Sequence, residues 1–236
     1  VRIAERSTSL SKRALDIGAD GIVIPWMENV EDLEEAVRDC RFPPKGRRGI
    51  GGERATAWGQ CLEEHATEAD QNVLIVPLIE SIAAIPNIPK MCEVDGIDIF
   101  FFGPADFSST AGFPGKWEGP GVAKQILELK DIINASGKHC GVVSTSTKNL
   151  TDRLEQGFKM LALGNDSGLL LRSIHQSLRE IGRDRSLATS IDPIDGQLES
   201  SNVQIGTPLE KVQKMLSKSD AKKDNTFMNK KSPKGK

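Results

Sequence analysis

Glu80 and Asp106 are the two residues of this chain whose type and spacing best suit them to act together. Glu80 closes the apolar run Val73-Leu-Ile-Val-Pro-Leu-Ile, and Asp106 follows Ile97-Asp-Ile-Phe-Phe-Phe and the short turn Gly103-Pro-Ala. A continuous apolar run reads as a strand buried on both faces, as in a parallel sheet covered by helices. In parallel α/β folds, ligands gather at the carboxyl ends of the strands. Two carboxylates there, one βα unit apart, can share a hard divalent cation. The competing reading is plainer: each acid caps the helix that follows it or pairs with a basic residue. Gly103 and Pro104 favour the first reading locally, because a tight turn at that point aims backbone N–H groups and the Asp106 carboxylate at one spot.

Arg2, at the end of the first strand-like segment, is the next candidate. An arginine at a barrel mouth clamps a carboxylate or stabilises an enolate oxygen, although a salt bridge to a loop acid fits its position equally well. The stretch Gly49-Ile-Gly51-Gly52-Glu-Arg54 is a weak match to a nucleotide loop, since no strand runs directly into it and no Lys-Ser/Thr follows. A flexible basic substrate loop or a subunit contact fits it better. His65, His139 and His175 all fall away from the carboxyl ends of strands, so none reads as a general base. No lysine stands at such an end either, which argues against a Schiff base. Ser144 and Ser146 follow a strand but lack a His–Asp set, which argues against a hydrolase triad.

These side chains need a scaffold, and the alternation of patterns supplies one. Strands are expected at Val1–Ile3, Ile22–Pro25, Val73–Glu80, Ile97–Phe102, Cys140–Val143 and Met160–Leu163. Amphipathic helices are expected at Ser9–Ile17, Val30–Cys40, Ile82–Cys92, Val122–Ala135 and Lys148–Gln156, with a last one over about 167–181. Asn29 and Thr147 stand as start signals for the second and fifth helices. Alternating βα units mean an α/β fold with a parallel sheet. Six units are visible where a closed barrel needs eight. Because Val1-Arg-Ile begins inside a strand-like segment without Met, the simplest expectation is a (β/α)₈ barrel lacking its first two strands. A six-stranded open sheet is the alternative. The connection from Arg41 to Gln71 exceeds the roughly 15 residues typical of passive loops and reads as functional.

The bulk numbers narrow the classes. The chain has 236 residues, 38% of them hydrophobic and 27% charged, which suits a soluble globular domain. The net charge of −2 conceals a basic tail of about +7 over 211–236 and a body of about −9. An acidic body without a basic stripe argues against nucleic-acid binding. Cys40, Cys61, Cys92 and Cys140 are widely spaced, as reduced thiols of a cytoplasmic protein would be. No apolar run has the length of a membrane span, and no signal peptide is evident. The barrel body is expected over 1–185, followed by an extension over 186–236 whose Lys-rich tail from about 209 reads as disordered.

Val-Pro-Leu-Ile-Glu80, Gly-Ile-Asp-Ile-Phe-Phe-Phe-Gly103-Pro-Ala-Asp106-Phe-Ser and Arg41-Phe-Pro-Pro-Lys-Gly-Arg-Arg-Gly-Ile-Gly together resemble the HpcH/HpaI (2-oxo-acid) aldolase family. The likeness covers about residues 1–182. It implies an N-terminally truncated (β/α)₈ TIM barrel that makes or breaks a carbon–carbon bond next to pyruvate. The implied cofactor is Mg²⁺, Mn²⁺ or Co²⁺; the implied substrates are a 2-oxo acid and an aldehyde. By position, the resemblance implies that Glu80 and Asp106 are the metal ligands and that Arg2 polarises the pyruvate carbonyl. It implies that the backbone of Gly103, Pro104 and Ala105 holds the pyruvate carboxylate. It further implies a hexamer, a trimer of dimers exchanging the last barrel helix, here around Leu169–Ile181. Two departures stand out. The family's His and acidic base residues precede the Arg and lie upstream of Val1, and Leu78 stands where many members carry a polar Gln. A CoA-thioester lyase of the citrate lyase or malyl-CoA lyase type, and a non-catalytic 2-oxo-acid-binding or assembly subunit, are the alternative functions.

Overall fold

The longest apolar runs form strands, and the two that lead to the mouth end where Glu80 and Gly103 interrupt them. A computed structural model describes residues 1–117, 119 and 121–183. Within it lie strands β1 (Gly21–Ile24), β2 (Leu74–Ile79), β3 (Ile99–Phe102), β4 (His139–Val143) and β5 (Met160–Ala162). The expected extension over 186–236, with its tail from about 209, lies outside the described residues. All adjacent strand pairs are parallel, and the sheet order is β1-β2-β3-β4-β5. An unreversed order is that of a barrel wall; a doubly wound open sheet reverses at a switch point. The five strands curl as part of such a wall.

The expected first strand is reduced to a single contact. Arg2 forms an isolated parallel bridge to Val23, with Val23 N–H donating to the Val1 carbonyl (2.8 Å) and Ile3 N–H to the Val23 carbonyl (3.1 Å). With the Val1 amino group donating to the Gly21 carbonyl at 2.8 Å, residues 1–3 make three such bonds to β1 but no ladder, so five strands and a bridge replace the six strands expected.

Helices α1 (Thr8–Asp16), α2 (Val30–Cys40), α3 (Leu62–Asn72), α4 (Ile88–Met91), α5 (Pro104–Thr110), α6 (Val122–Ala135), α7 (Thr147–Glu155) and α8 (Asp166–Glu180) follow or connect the strands. Asn29 caps α2 by accepting from Asp32 N–H at 2.8 Å, and Glu31 and Asp32 place negative charge in its first turn. Leu33, Ala36 and Cys40 then form its buried stripe. The cap of α7 is Ser146, accepting from Asn149 N–H at 3.1 Å, one residue ahead of the expected Thr147. The helix expected over 82–92 is instead a 3-10 segment, Ile82–Asn87, followed by the single turn of α4. Pro86 and Pro89 each lack the N–H that a continuous helix requires, which accounts for the break.

Side chains alternate across the sheet. Val76, Leu78 and Phe101 fill the concave face with Val23, Ile99, Val143, Met160 and Ala162 packed against them. Phe100, Phe102 and Ile79 bury fully on the other face, against the helices. Gly141 is required on the concave face, because a Cβ there would stand 2.5 Å from Cδ2 of Phe101 and 2.9 Å from Cβ of Met160. No helix among the described residues is long and apolar enough to cross a membrane.

Candidate active site

Period-two alternation carries Glu80 to the concave face. It lies two residues beyond Leu78 and four beyond Val76, just past the end of β2. Arg2 pairs with Val23 and Val23 with Val76, so Arg2 belongs to the same concave row one strand over. Gly103 N–H donates to the Ile79 carbonyl at 3.0 Å, which extends the β2–β3 pairing and sets the Gly103 turn beside Glu80. Asp106 follows in the first turn of α5, which Pro104 opens.

Glu80 is 3% exposed. Its Oε1 accepts a hydrogen bond from Trp26 N–H at 3.0 Å. Among the described residues Oε2 receives no hydrogen bond. Gly103 makes room for that oxygen, since a Cβ at position 103 would lie 3.0 Å from both Cβ and Oε2 of Glu80. Burial pushes the Glu80 carboxyl above the usual glutamate range; the Trp26 N–H opposes this, the Asp106 charge adds to it, and Arg2 opposes it. Glu80 thus lies within electrostatic reach of both Asp106 and Arg2. Asp106 is exposed, and among the described residues neither acid pairs with a basic side chain within 4.0 Å.

Helix capping does not explain Glu80 either. The residue that caps the 3-10 segment is Ser81, whose hydroxyl accepts from Ala83 N–H at 3.1 Å. A buried carboxylate and an exposed one, both oxygen donors and neither in an ion pair among the described residues, fit a hard divalent cation. No group of three or more His, Cys, Asp or Glu among the described residues could hold a metal. The chain's share of such a site would be these two carboxylates, with water and substrate completing it.

The turn over 103–105 is narrower in its chemistry than its sequence implies. Gly103 N–H is committed to Ile79, and Pro104 has none. Ala105 and Asp106, in the first turn of α5, have N–H groups without an intrahelical acceptor. Within this turn, those are the two N–H groups left to donate to a ligand. Leu78 is buried, and its Cδ1 would be 3.5 Å from a Cβ on Gly103, so an apolar methyl borders the turn.

Other sequence candidates lie elsewhere. His139 begins β4, at the end opposite the mouth, and His65 sits on α3 with its ring 5.9 Å from that of Phe42, edge to face. His175 lies on α8. Ser144 donates to the Ser146 carbonyl at 3.1 Å, and Ser146 caps α7, so both hydroxyls are structural. The long connection joins α2 to β2 and so runs along the amino-terminal edge of the sheet. Arg54 donates to the carbonyl of Ile17 at 3.3 Å, Arg47 pairs with Asp39 at 2.7 Å, and Arg48 pairs with Asp16 at 3.4 Å and stacks 4.7 Å from the Phe42 ring centre. A substrate loop for this chain's own mouth is excluded by that position. Its second half is not a loop at all but α3, whose run Glu-Glu-His-Ala-Thr-Glu offers little apolar patterning.

Trp26 was not legible as a site residue. Its backbone is left-handed, at φ 56°, and an aromatic residue carries no sequence signal for that conformation.

Known proteins resemble this chain in sequence and in fold. The description HpcH/HpaI aldolase/citrate lyase matches residues 1–173. A 4-hydroxy-2-oxovalerate aldolase of Rhodococcus jostii (strain RHA1) is 37% identical, over 73% of this chain and 66% of its own length. A hydroxypyruvate/pyruvate aldolase of Roseobacter denitrificans (strain ATCC 33942 / OCh 114) is 33% identical, over 73% of this chain and 68% of its own length. The chain thus spans about two thirds of the length of these relatives. The crystal structure of an HpcH/HpaI aldolase/citrate lyase family protein from Burkholderia cenocepacia J2315 superposes with a TM-score of 0.73 at 30% identity, covering 77% of this chain and 72% of the other. With its sequence matched from Val1 to beyond β5 and its strands in barrel order, this chain belongs to the HpcH/HpaI aldolase/citrate lyase family.

Proposed function

We propose that this chain forms the catalytic wall of a divalent-metal-dependent aldolase, which makes or breaks the carbon–carbon bond of a 4-hydroxy-2-oxo acid to exchange it with pyruvate and an aldehyde. The observation that carries this reading is that Glu80 and Asp106 follow the ends of the neighbouring strands β2 and β3, with Arg2 in register on the same face, and that among the described residues neither carboxylate pairs with a basic side chain. Glu80 and Asp106 would hold Mg²⁺, Mn²⁺ or Co²⁺, which when bound supplies Lewis acidity toward a keto oxygen.

The chain's own groups do the rest. The Arg2 guanidinium stabilises the negative charge that grows on the keto oxygen as the bond breaks. The N–H groups of Ala105 and Asp106 receive the pyruvate carboxylate and fix its orientation. Leu78 borders that turn with a methyl group, so the substrate gains no hydrogen bond there. The group that moves the proton at the 4-hydroxyl belongs, by the family resemblance, to barrel strands preceding Arg2.

The relatives named as aldolases favour this chemistry over a CoA-thioester lyase. A homo-oligomer, in the family a trimer of dimers, accords with α8, none of whose residues is buried and which exposes Leu169, Leu170 and Ile174.

Pyruvate release from 4-hydroxy-2-oxovalerate tests the reading. It is measured for the full chain, and for the chain preceded by the two N-terminal βα units of a relative. Release that requires Mn²⁺ and stops with EDTA is expected from the second protein. Release insensitive to EDTA would overturn it.

A further inference from the structure

Glu80 is aimed by a residue that the chemistry does not itself require. Trp26 has φ 56°, a conformation that is rare and strained for a bulky side chain. Its main-chain N–H spends that conformation on one bond, 3.0 Å to Oε1 of Glu80. The neighbouring chain is fixed on both sides. Ile24 pairs in register with Pro77, Met27 N–H donates to the Leu78 carbonyl at 3.3 Å, and Asn87 donates to the Glu28 carbonyl at 2.8 Å. Strain persists where surrounding structure over-determines it, and it collects at functional sites. The indole is not what demands it, for the side chain is 48% exposed rather than packed in the core.

We infer that Trp26 is a positioning residue: its left-handed backbone pins Oε1 of Glu80 and leaves Oε2, in the space opened by Gly103, free to bind the metal. The inference rests on the metal reading of Glu80 given above. It requires nothing of the indole, so any residue that accepts the left-handed region serves equally well. Glycine does so without a steric penalty and asparagine with a small one. A β-branched residue at position 26 turns the N–H away from Glu80.

The test is Mn²⁺ affinity, measured by calorimetry on the full chain without substrate. Trp26→Val is expected to weaken Mn²⁺ binding by roughly tenfold or more, the loss of a hydrogen bond to a charged group, while Trp26→Gly and Trp26→Asn stay within about twofold of the unsubstituted chain. Should the Val variant fail to fold, Trp26→Ala is compared with Trp26→Gly, and the same order is expected. Unchanged affinity in both the Val and Ala variants would overturn the inference. Equal losses in Gly and Val would overturn it too, by assigning the role to the indole. Glu80→Gln separates the two ideas: if Mn²⁺ still binds as tightly to that variant, the metal reading itself falls and the inference with it.

Discussion

Gly103 and Glu80, one strand apart in the wall, are packed so closely that a methyl group on the first would stand 3.0 Å from both Cβ and Oε2 of the second. The backbone at Gly103 (φ −101°) suits any residue, so the glycine is there for space and not for its conformational freedom. Gly103→Ala is therefore expected to displace the Glu80 carboxylate. Metal-dependent turnover should fall by ~10-fold or more, with stability lowered by about 1–3 kcal/mol as for other overpacked sites. Steady-state kinetics beside thermal unfolding would separate the two effects. Full activity would show that Oε2 has no part in the site.

The raised carboxyl of Glu80 gives a pH dependence of definite sign. Burial makes the folded protein hold this proton more tightly than the unfolded chain does. In the metal-free protein, stability is thus lost as pH rises from the ordinary glutamate range through the raised folded value. Glu80→Gln removes that contribution, so its stability relative to the unsubstituted chain should increase over that window. Mn²⁺ competes with the same proton, and its affinity should rise with pH over the same interval. Urea titrations of both proteins across this pH range check the first statement, and parallel curves would contradict it.

Much of this site could be read from the residue order, and the reasons are physical. Runs such as Leu74–Ile79 and Ile99–Phe102 are strands because they are buried on both faces, and burial on both faces leaves a continuous apolar signature. Acids placed just past such runs stand at the mouth by necessity. What stayed hidden depended on distant partners or on unusual backbone. Trp26 holds Glu80 across 54 positions through a main-chain N–H, which side-chain identity does not encode. Helix α3 buries only Ala69 and so lacks a visible stripe, and α5 begins with the Gly-Pro that elsewhere marks a turn. The basic stretch of the long connection reads as a substrate loop or a subunit contact, whereas Arg47 and Arg48 hold that segment against α2 and α1 at the opposite end.

Helix α8 bears on assembly. It exposes Leu169 (50%), Leu170 (63%) and Ile174 (46%) on a helix with no buried residue. If these side chains meet a second copy, Leu170→Glu with Ile174→Glu should lower the oligomeric order in sedimentation while leaving the five-stranded wall folded. An unchanged sedimentation coefficient would remove α8 from the interface.

The most direct test of the central claim is Mn²⁺-dependent pyruvate release by the chain carrying a relative's first two βα units, compared with its Glu80→Gln and Asp106→Asn variants. Each variant should retain its circular dichroism and lose metal-dependent turnover by ~100-fold or more, because each removes one of the two charged ligands. Turnover like that of the unsubstituted protein in either folded variant would contradict the assignment of these carboxylates to the metal.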